Sequence, residues 1–347
     1  MSSLIQTLKD LCQLPGISGW EDAVRAYIRR ELEPFADEIL EDGLGNLLVY
    51  KKGHSRPKNK IVLAAHMDEV GIMIREITSA GYLRFEFIGG VDRRVVIGKP
   101  VFVGENRIPG VIGMKPVHLT TAKEREKIPS VKDLYIDIGA DSREEAESLT
   151  FMGDYAVFSG DVMELANGEI CVKAIDDRIG CAIMLELAKE KLPIDLWFAF
   201  TVQEEIGTRG AYAAAFRLQP DIAVIVEGTT AADSPVSEGA KKVCSPGKGP
   251  VIPFMDRRTI YDRGLFEMLR ELAVENQIPW QTKTRIAGGT DASVFQRSAA
   301  PSRVCGVSAA VRYIHSSGSV ANVHDFEQIK QLLELFLQAQ EEEEEHV

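Results

Sequence analysis

Strands that are apolar from end to end, and that alternate with helices, constrain this chain most. "EICVKAI" runs into the helical pattern "RIGCAIMLELAKE" and "IDLWFAFTV" into "GAYAAAF". "DIAVIVEG" and "SRVCGVSAAV" precede "RGLFEMLRELAVEN" and "DFEQIKQLLELFLQAQ". A strand with one wet face alternates polar and apolar residues, whereas a strand covered on both faces does not. The pattern therefore predicts a largely parallel sheet with helices on both sides. "NLLVYKK" and "KIVLAAH" add two strands nearer the N-terminus. Two helices precede them. Leu4, Leu8, Leu11 and Cys12 share a face of the first. The second opens with Ser18 and Glu21 in an S-x-x-E capping box, ahead of Val24, Tyr27, Ile28 and Leu32.

After Val70 the texture changes. "YLRFEFIGG", "KPVFVGENRIPGVIG", "LYIDIG" and "YAVFSG" read as short strands bounded by glycine, with hardly a helical pattern before "EEAESL". A chain of 347 residues with 45% hydrophobic content can bury two cores. The expected fold class is α/β, a mostly parallel sheet flanked by helices and built from residues 1–70 plus 166–347. A small β-rich, barrel-like domain is expected as an insert at 71–165.

A net charge of −12 argues against a general binder of nucleic acid or anionic membrane. The five cysteines are scattered, odd in number and without a CxxC pair, which fits a reducing cytoplasm better than a disulfide framework. The N-terminal segment lacks the basic start and apolar centre of a signal peptide, and no apolar run is long enough to span a bilayer. The tail "EEEEEHV" reads as a solvated end.

In open α/β sheets, ligands collect beyond the carboxyl ends of the strands. "IVLAAHMDEVG" ends in His66 and Asp68, "CVKAIDDRIG" in Asp176 and Asp177, and "WFAFTVQEEIG" in Glu204 and Glu205. "AVIVEGTTAAD" ends in Glu227, with Asp233 beyond it, and "VSAAVRYIHSSG" in His315. Each has an ordinary reading: a solvated rim, a helix cap at Asp177, an arginine partner for Glu227, core or surface histidines. Together they place a His or a carboxylate at five strand ends, which points to a shared cation, since crowded carboxylates otherwise raise one another's pKa. Mixed imidazole and carboxylate donors suit Zn, Co or Mn, whereas calcium takes oxygen alone. Asp176, Glu205 and Glu227 bring three negative charges. Two divalent ions would leave the site positive, suited to polarising a carbonyl and acidifying a water.

The segments "HMDEVG", "AIDDRIG", "VQEEIGTRGA", "VEGTTAAD", "GGTDAS" and "RYIHSS" resemble those of the M42 family of dinuclear-metal aminopeptidases, in the same order and over nearly the whole chain. The resemblance implies two divalent metal ions per subunit: His66, Asp176 and Glu227 would hold one, and Asp176, Glu205 and His315 the other, with Asp176 bridging. Asp68 would accept a hydrogen bond from His66 and fix its tautomer, and Glu204 would be the general base. Neighbours in an extended segment point in opposite directions, so Glu204 and Glu205 could serve different partners. Thr290 and Asp291 are expected beside the substrate. Many members have Asp at the position of Glu227, and the wording after His315 departs from the "HSPVE" of several.

The implied reaction is removal of N-terminal residues from short peptides by a cytoplasmic enzyme. The implied assembly is a homo-oligomer, a dodecamer built from dimers through the β-rich insert. A deacylase of N-acyl amino acids is the alternative for such a site. A glucanase, as some M42-like chains are labelled, would leave both histidines without a purpose. Lys241 and Lys242 of "SEGAKKV" are candidate partners for an acidic substrate side chain.

Overall fold

The computed structural model describes residues 2–235, 237–298 and 300–345. In chain order its strands are β1 Glu38–Glu41, β2 Leu47–Lys51, β3 Ile61–His66, β4 Gly71–Ile77, β5 Leu83–Ile88, β6 Pro100–Val103, β7 Ile108–Met114, β8 Leu134–Asp137, β9 Tyr155–Phe158, β10 Met163–Glu164, β11 Glu169–Val172, β12 Leu196–Thr201, β13 Ile222–Thr230, β14 Arg303–Val311 and β15 Ser319–Asn322. The main sheet runs β1-β2-β12-β3-β13-β14. From β12 to β14 the pairings are parallel, and β1 and β2 form an antiparallel edge.

The unbroken apolar runs have the expected cause. Along β3, Ile61, Leu63 and Ala65 enter one core while Val62 and Ala64 enter the other, and β13 divides its residues the same way. The first core is closed by the helices Ser3–Gln13, Asp22–Leu32, Ile175–Lys189 and Val323–Glu345. The second lies under Arg209–Leu218 and Ala292–Phe295 and is rich in alanine, so these helices approach the sheet closely. Helix Ile175–Lys189 is buried nearly all round, which explains its weakly amphipathic sequence. At Gly180 a Cβ would sit 2.1 Å from the Val226 carbonyl oxygen, so only glycine lets this helix lie so close to β13.

Strands β4-β5-β8-β7-β6-β9 close into a small barrel with its own core, including Ile72, Phe85, Val103, Ile112, Ile136 and Phe158. Its first and last strands pair, Ile72 with Ala156 and Met73 with Tyr155, so the segment leaves and rejoins the rest of the chain at adjacent points.

Two expectations need correction. "EICVKAI" supplies β11, but β11 pairs antiparallel with β10 and β15 in a separate small sheet. The S-x-x-E box does not form: Glu21 is the cap residue of the second helix, and no side chain caps it. Ser18 and Glu21 are engaged elsewhere, as described next. The last helix continues to Glu345, and residues 346 and 347 of the acidic tail lie outside the described residues.

Candidate metal centre

His66 is the final residue of β3, paired across the sheet with Thr201 at the end of β12. Its backbone is anchored from below: Asp177 Oδ2 accepts the His66 amide at 3.1 Å, and Asp177 Oδ1 accepts the Gly180 amide at 2.9 Å. Asp177 therefore caps its helix, as its ordinary reading held, and also fixes a histidine. Asp176, one residue earlier, stands off helical geometry with ψ 110° and turns into the cleft; the Asp176–Asp177 peptide is cis. Asp176 Oδ1 lies 3.4 Å from His66 Nε2 and Oδ2 lies 3.6 Å from His315 Nε2. One carboxylate thus faces two imidazoles with its two oxygens. His315 Nε2 is also 3.1 Å from Glu205 Oε1, and its Nδ1 is 3.1 Å from the Gly90 carbonyl oxygen. Donor atoms of His66, Asp176 and Glu205 all fall within 4.8 Å of one another, the separation one ion can span.

The remaining expected residues are placed as follows. Glu204, Glu227 and Thr290 line the same cleft, which has a volume of about 380 Å³, enough for one or two residues of a peptide. Glu227 sits within β13, which runs on to Thr230, and not beyond the strand end. Asp291 is buried behind this wall and accepts from the Thr201 hydroxyl at 2.7 Å through Oδ2, leaving Oδ1 without a partner. Asp233 does not reach the cleft; it pairs with Arg312 at 2.6 Å.

Asp68 has a larger task than holding His66. The His66 Nδ1 contact, 3.1 Å, goes to the Asp68 main-chain oxygen, with the carboxylate 3.4 Å away. The carboxylate itself accepts the Glu204 amide at 2.9 Å, the Glu205 amide at 3.1 Å and the Ser18 hydroxyl at 2.6 Å. The two preceding amides are captured likewise, Gln203 by Glu21 at 3.1 Å and Val202 by Asn46 at 3.0 Å. Four successive backbone N–H groups are thus held by buried side chains, and the Glu204–Glu205 pair sits in a clamped turn, not in an extended strand. Gln203 has φ 56°, and Ala174, Tyr313 and His315 are also left-handed at 56° to 59°. Non-glycine residues adopt that region at a cost, and such outliers gather where geometry serves a site.

The electrostatics favour cations. Burial pushes the Glu204 and Glu227 carboxyls well above the usual range, with neighbouring carboxylates adding to it and His66 opposing it. Burial pulls the His315 imidazole down, but Asp176 and Glu205 outweigh it and raise it to about 11. Glu205 Oε1 is buried and lacks a hydrogen bond of proper geometry despite its contact with His315. An orphaned carboxylate oxygen among imidazoles fits a divalent cation.

A family model described as M42 glutamyl aminopeptidase matches residues 45–332. The chain belongs to the M42 peptidase family. It is therefore a metal-dependent hydrolase of the aminopeptidase class. This M42 chain is 39% identical over 332 residues to an aminopeptidase-named protein of Acetivibrio thermocellus, covering 95% of this chain and 97% of that one. It is 33% identical to the lysyl aminopeptidase of Pyrococcus furiosus (96% of each chain). It is equally 33% identical to the glutamyl aminopeptidase of Lactococcus lactis (95% and 94%). Among solved structures, the TET1 peptidase of Pyrococcus horikoshii, described as assembling into a tetrahedron or a large octahedral shell, superposes with TM-score 0.85 at 36% identity over 96% of this chain and 99% of that one. A Thermotoga maritima protein described as an endoglucanase superposes with TM-score 0.80 at 34% identity over 97% and 98%.

Asp177's hold on His66 and the supporting roles of Asn46 and Thr201 carry no sequence signal, and Ser18 and Glu21 support the site instead of capping a helix. Each acts on a backbone amide or on another side chain, so no spacing signals it. Lys241 and Lys242 are exposed on a short turn and do not line the cleft; Arg257, Arg258 and Lys283 do.

Proposed function

We propose that this chain hydrolyses the first peptide bond of short peptides at a site for two divalent ions, Zn, Co or Mn. His66, Asp176 and Glu227 would hold one ion, and Asp176, Glu205 and His315 the other. The observation that carries this reading is the Asp176 carboxylate, whose two oxygens face two histidines. When bound, the ions supply Lewis acidity toward a carbonyl and toward a water. Glu204 lines the cleft beside Glu205 and acts as general base and then general acid, taking the proton of the attacking water and passing it to the departing amine. Asp68 holds the Glu204–Glu205 turn so that the base and the ligand keep their separation. Thr290 lies on the substrate wall, and Asp291 braces the strand end through Thr201.

We also propose that the 71–165 segment joins subunits, in a dodecamer built from dimers, within the cytoplasm. Exposed Val111, Val117, Leu119, Ile128, Phe151 and Met152 give this segment apolar surface to cover. Relatives that form shells support the same reading.

The test is hydrolysis of alanyl-p-nitroanilide after removal of metal and reconstitution with each ion. Activity lost to chelator and restored by metal, with N-acetylated substrate untouched, is the expected result. Cleavage of the N-acylated substrate in preference would favour the deacylase, and chelator-resistant cleavage of glucan would overturn the peptidase reading.

A further inference from the structure

One wall of the catalytic cleft carries cations that the chemistry above does not use. Arg257, Arg258 and Lys283 line it together with Gly288 and Gly289. Among the described residues, none of the three has a carboxylate within ion-pair distance.

The two loops that bear them are fixed. The buried carboxylate of Asp256 accepts the amides of Arg258 at 2.6 Å and Thr259 at 2.8 Å, and the Tyr261 hydroxyl donates to it at 3.0 Å. The Arg257 amide then donates to the Gly288 carbonyl at 3.1 Å, joining this turn to the loop that follows Lys283. The Arg258 stem lies on Gly289 so closely that a Cβ there would come within 2.7 Å of Arg258 Cδ. Lys283 and Glu227 line the same cleft. Two guanidinium groups and an ammonium group thus stand on a wall whose backbone is anchored, with their donors unspent. Guanidinium and ammonium donors of this kind recognise carboxylates.

We propose that Arg257, Arg258 and Lys283 form a carboxylate-binding subsite that selects peptides by an acidic group near the scissile bond. This rests on the aminopeptidase reading and goes beyond it. The named relatives leave the matter open, since one is a lysyl and another a glutamyl enzyme. A cationic side chain placed against this wall would meet like charge, which disfavours it. The carboxylate has two possible sources in a short peptide: the side chain of an N-terminal Glu or Asp, or the C-terminus one or two residues beyond the cleaved bond.

The experiment uses the metal-loaded full chain, wild type beside Lys283→Met and Arg258→Gln. kcat/KM is measured on two pairs, glutamyl- against glutaminyl-p-nitroanilide and alanyl-alanine against its C-terminal amide. The expected wild-type preference for the carboxylate-bearing member of one pair is about tenfold or more, as charge-assisted contacts give. In the variants that ratio falls toward one. Discrimination in the first pair assigns the side chain, and in the second the C-terminus. A wild type that discriminates in neither pair, or variants that keep the ratio, overturn the subsite. If no free-amine substrate is cleaved, the aminopeptidase reading itself fails. Equilibrium binding of L-glutamate against L-glutamine to the same proteins then decides: tighter glutamate binding lost in the variants supports the subsite, and equal affinity overturns it.

Discussion

Replacing Asp68 by Asn isolates the clamp on the Glu204–Glu205 turn. The side chain is fully buried and nearly isosteric with Asn, so packing is preserved. Its oxygens take the Glu204 amide on one side, and the Glu205 amide and Ser18 hydroxyl on the other. Asn has one acceptor oxygen. If that oxygen stays with Glu204, the new NH2 group faces Ser18, whose hydroxyl can rotate and accept, and also the Glu205 N–H, which cannot. One buried amide is stranded in either orientation, at about 1–3 kcal/mol. The stranded amide belongs to the turn that carries a proposed ligand and the proposed base. Disturbing such supports costs roughly 10- to 100-fold in metal affinity or activity. Urea unfolding of the metal-free protein reads the first effect, and Co(II) titration followed by visible absorption reads the second. Unchanged urea midpoint together with unchanged Co(II) affinity would refute the clamp.

Glu204→Gln should keep its metals and lose about 10²- to 10⁴-fold in kcat, with metal content by elemental analysis as the control; near-normal turnover removes it as the base. Asp176→Ala should empty both proposed ion sites and Glu227→Ala mainly one, as Co(II) titration will show; two intact sites in Asp176→Ala exclude bridging. Burial, reinforced by the charge of Asp68, raises the Glu21 carboxyl from 4.5 to about 7. The folded state therefore binds that proton more tightly, so the contribution is complete below the unfolded pKa and is lost as pH climbs through the folded one. Glu21→Gln keeps the Oε1 that accepts Gly19 and Gln203, and should gain roughly 3 kcal/mol relative to wild type between about pH 4.5 and pH 8 in metal-free urea unfolding. Parallel pH profiles would contradict this. Light scattering should find the intact chain well above its 38.3 kDa monomer mass at micromolar concentration, and a monomer would end the assembly proposal.

The elements that sequence predicts well are those whose burial is periodic. The barrel strands show it: Leu83 and Phe85 turn inward while Glu86 is exposed, a pattern legible in the order of the residues alone. The two-sided sheet was readable from its lack of alternation. The residues that line the candidate site stand out in the sequence because imidazoles and carboxylates are unusual after apolar strands. What stayed hidden depends on backbone partners. Ser18 and Glu21 have a capping spacing, yet their side chains gain more by satisfying Asp68 and the Gln203 amide in the interior than by capping a helix start near water. β11 has the composition of a sheet strand, and only its pairing with β15 shows that it belongs to another sheet. Arg257, Arg258 and Lys283 lie in loops, where no period reveals a shared wall.

The contact between His315 Nδ1 and the Gly90 carbonyl bears on how this protein can be dissected. Gly90 follows β5 of the barrel, so the imidazole is gripped at one nitrogen by the inserted segment and presented at the other to Asp176 and Glu205. A chain shortened cleanly at residues 71–165 would lose that grip and leave the ring held at one nitrogen only. Its failure to bind metal would then say nothing about assembly. A usable truncation has to trim the barrel's far strands and retain the Gly89–Gly90 corner, because the boundary drawn by topology cuts through the support of a proposed metal ligand.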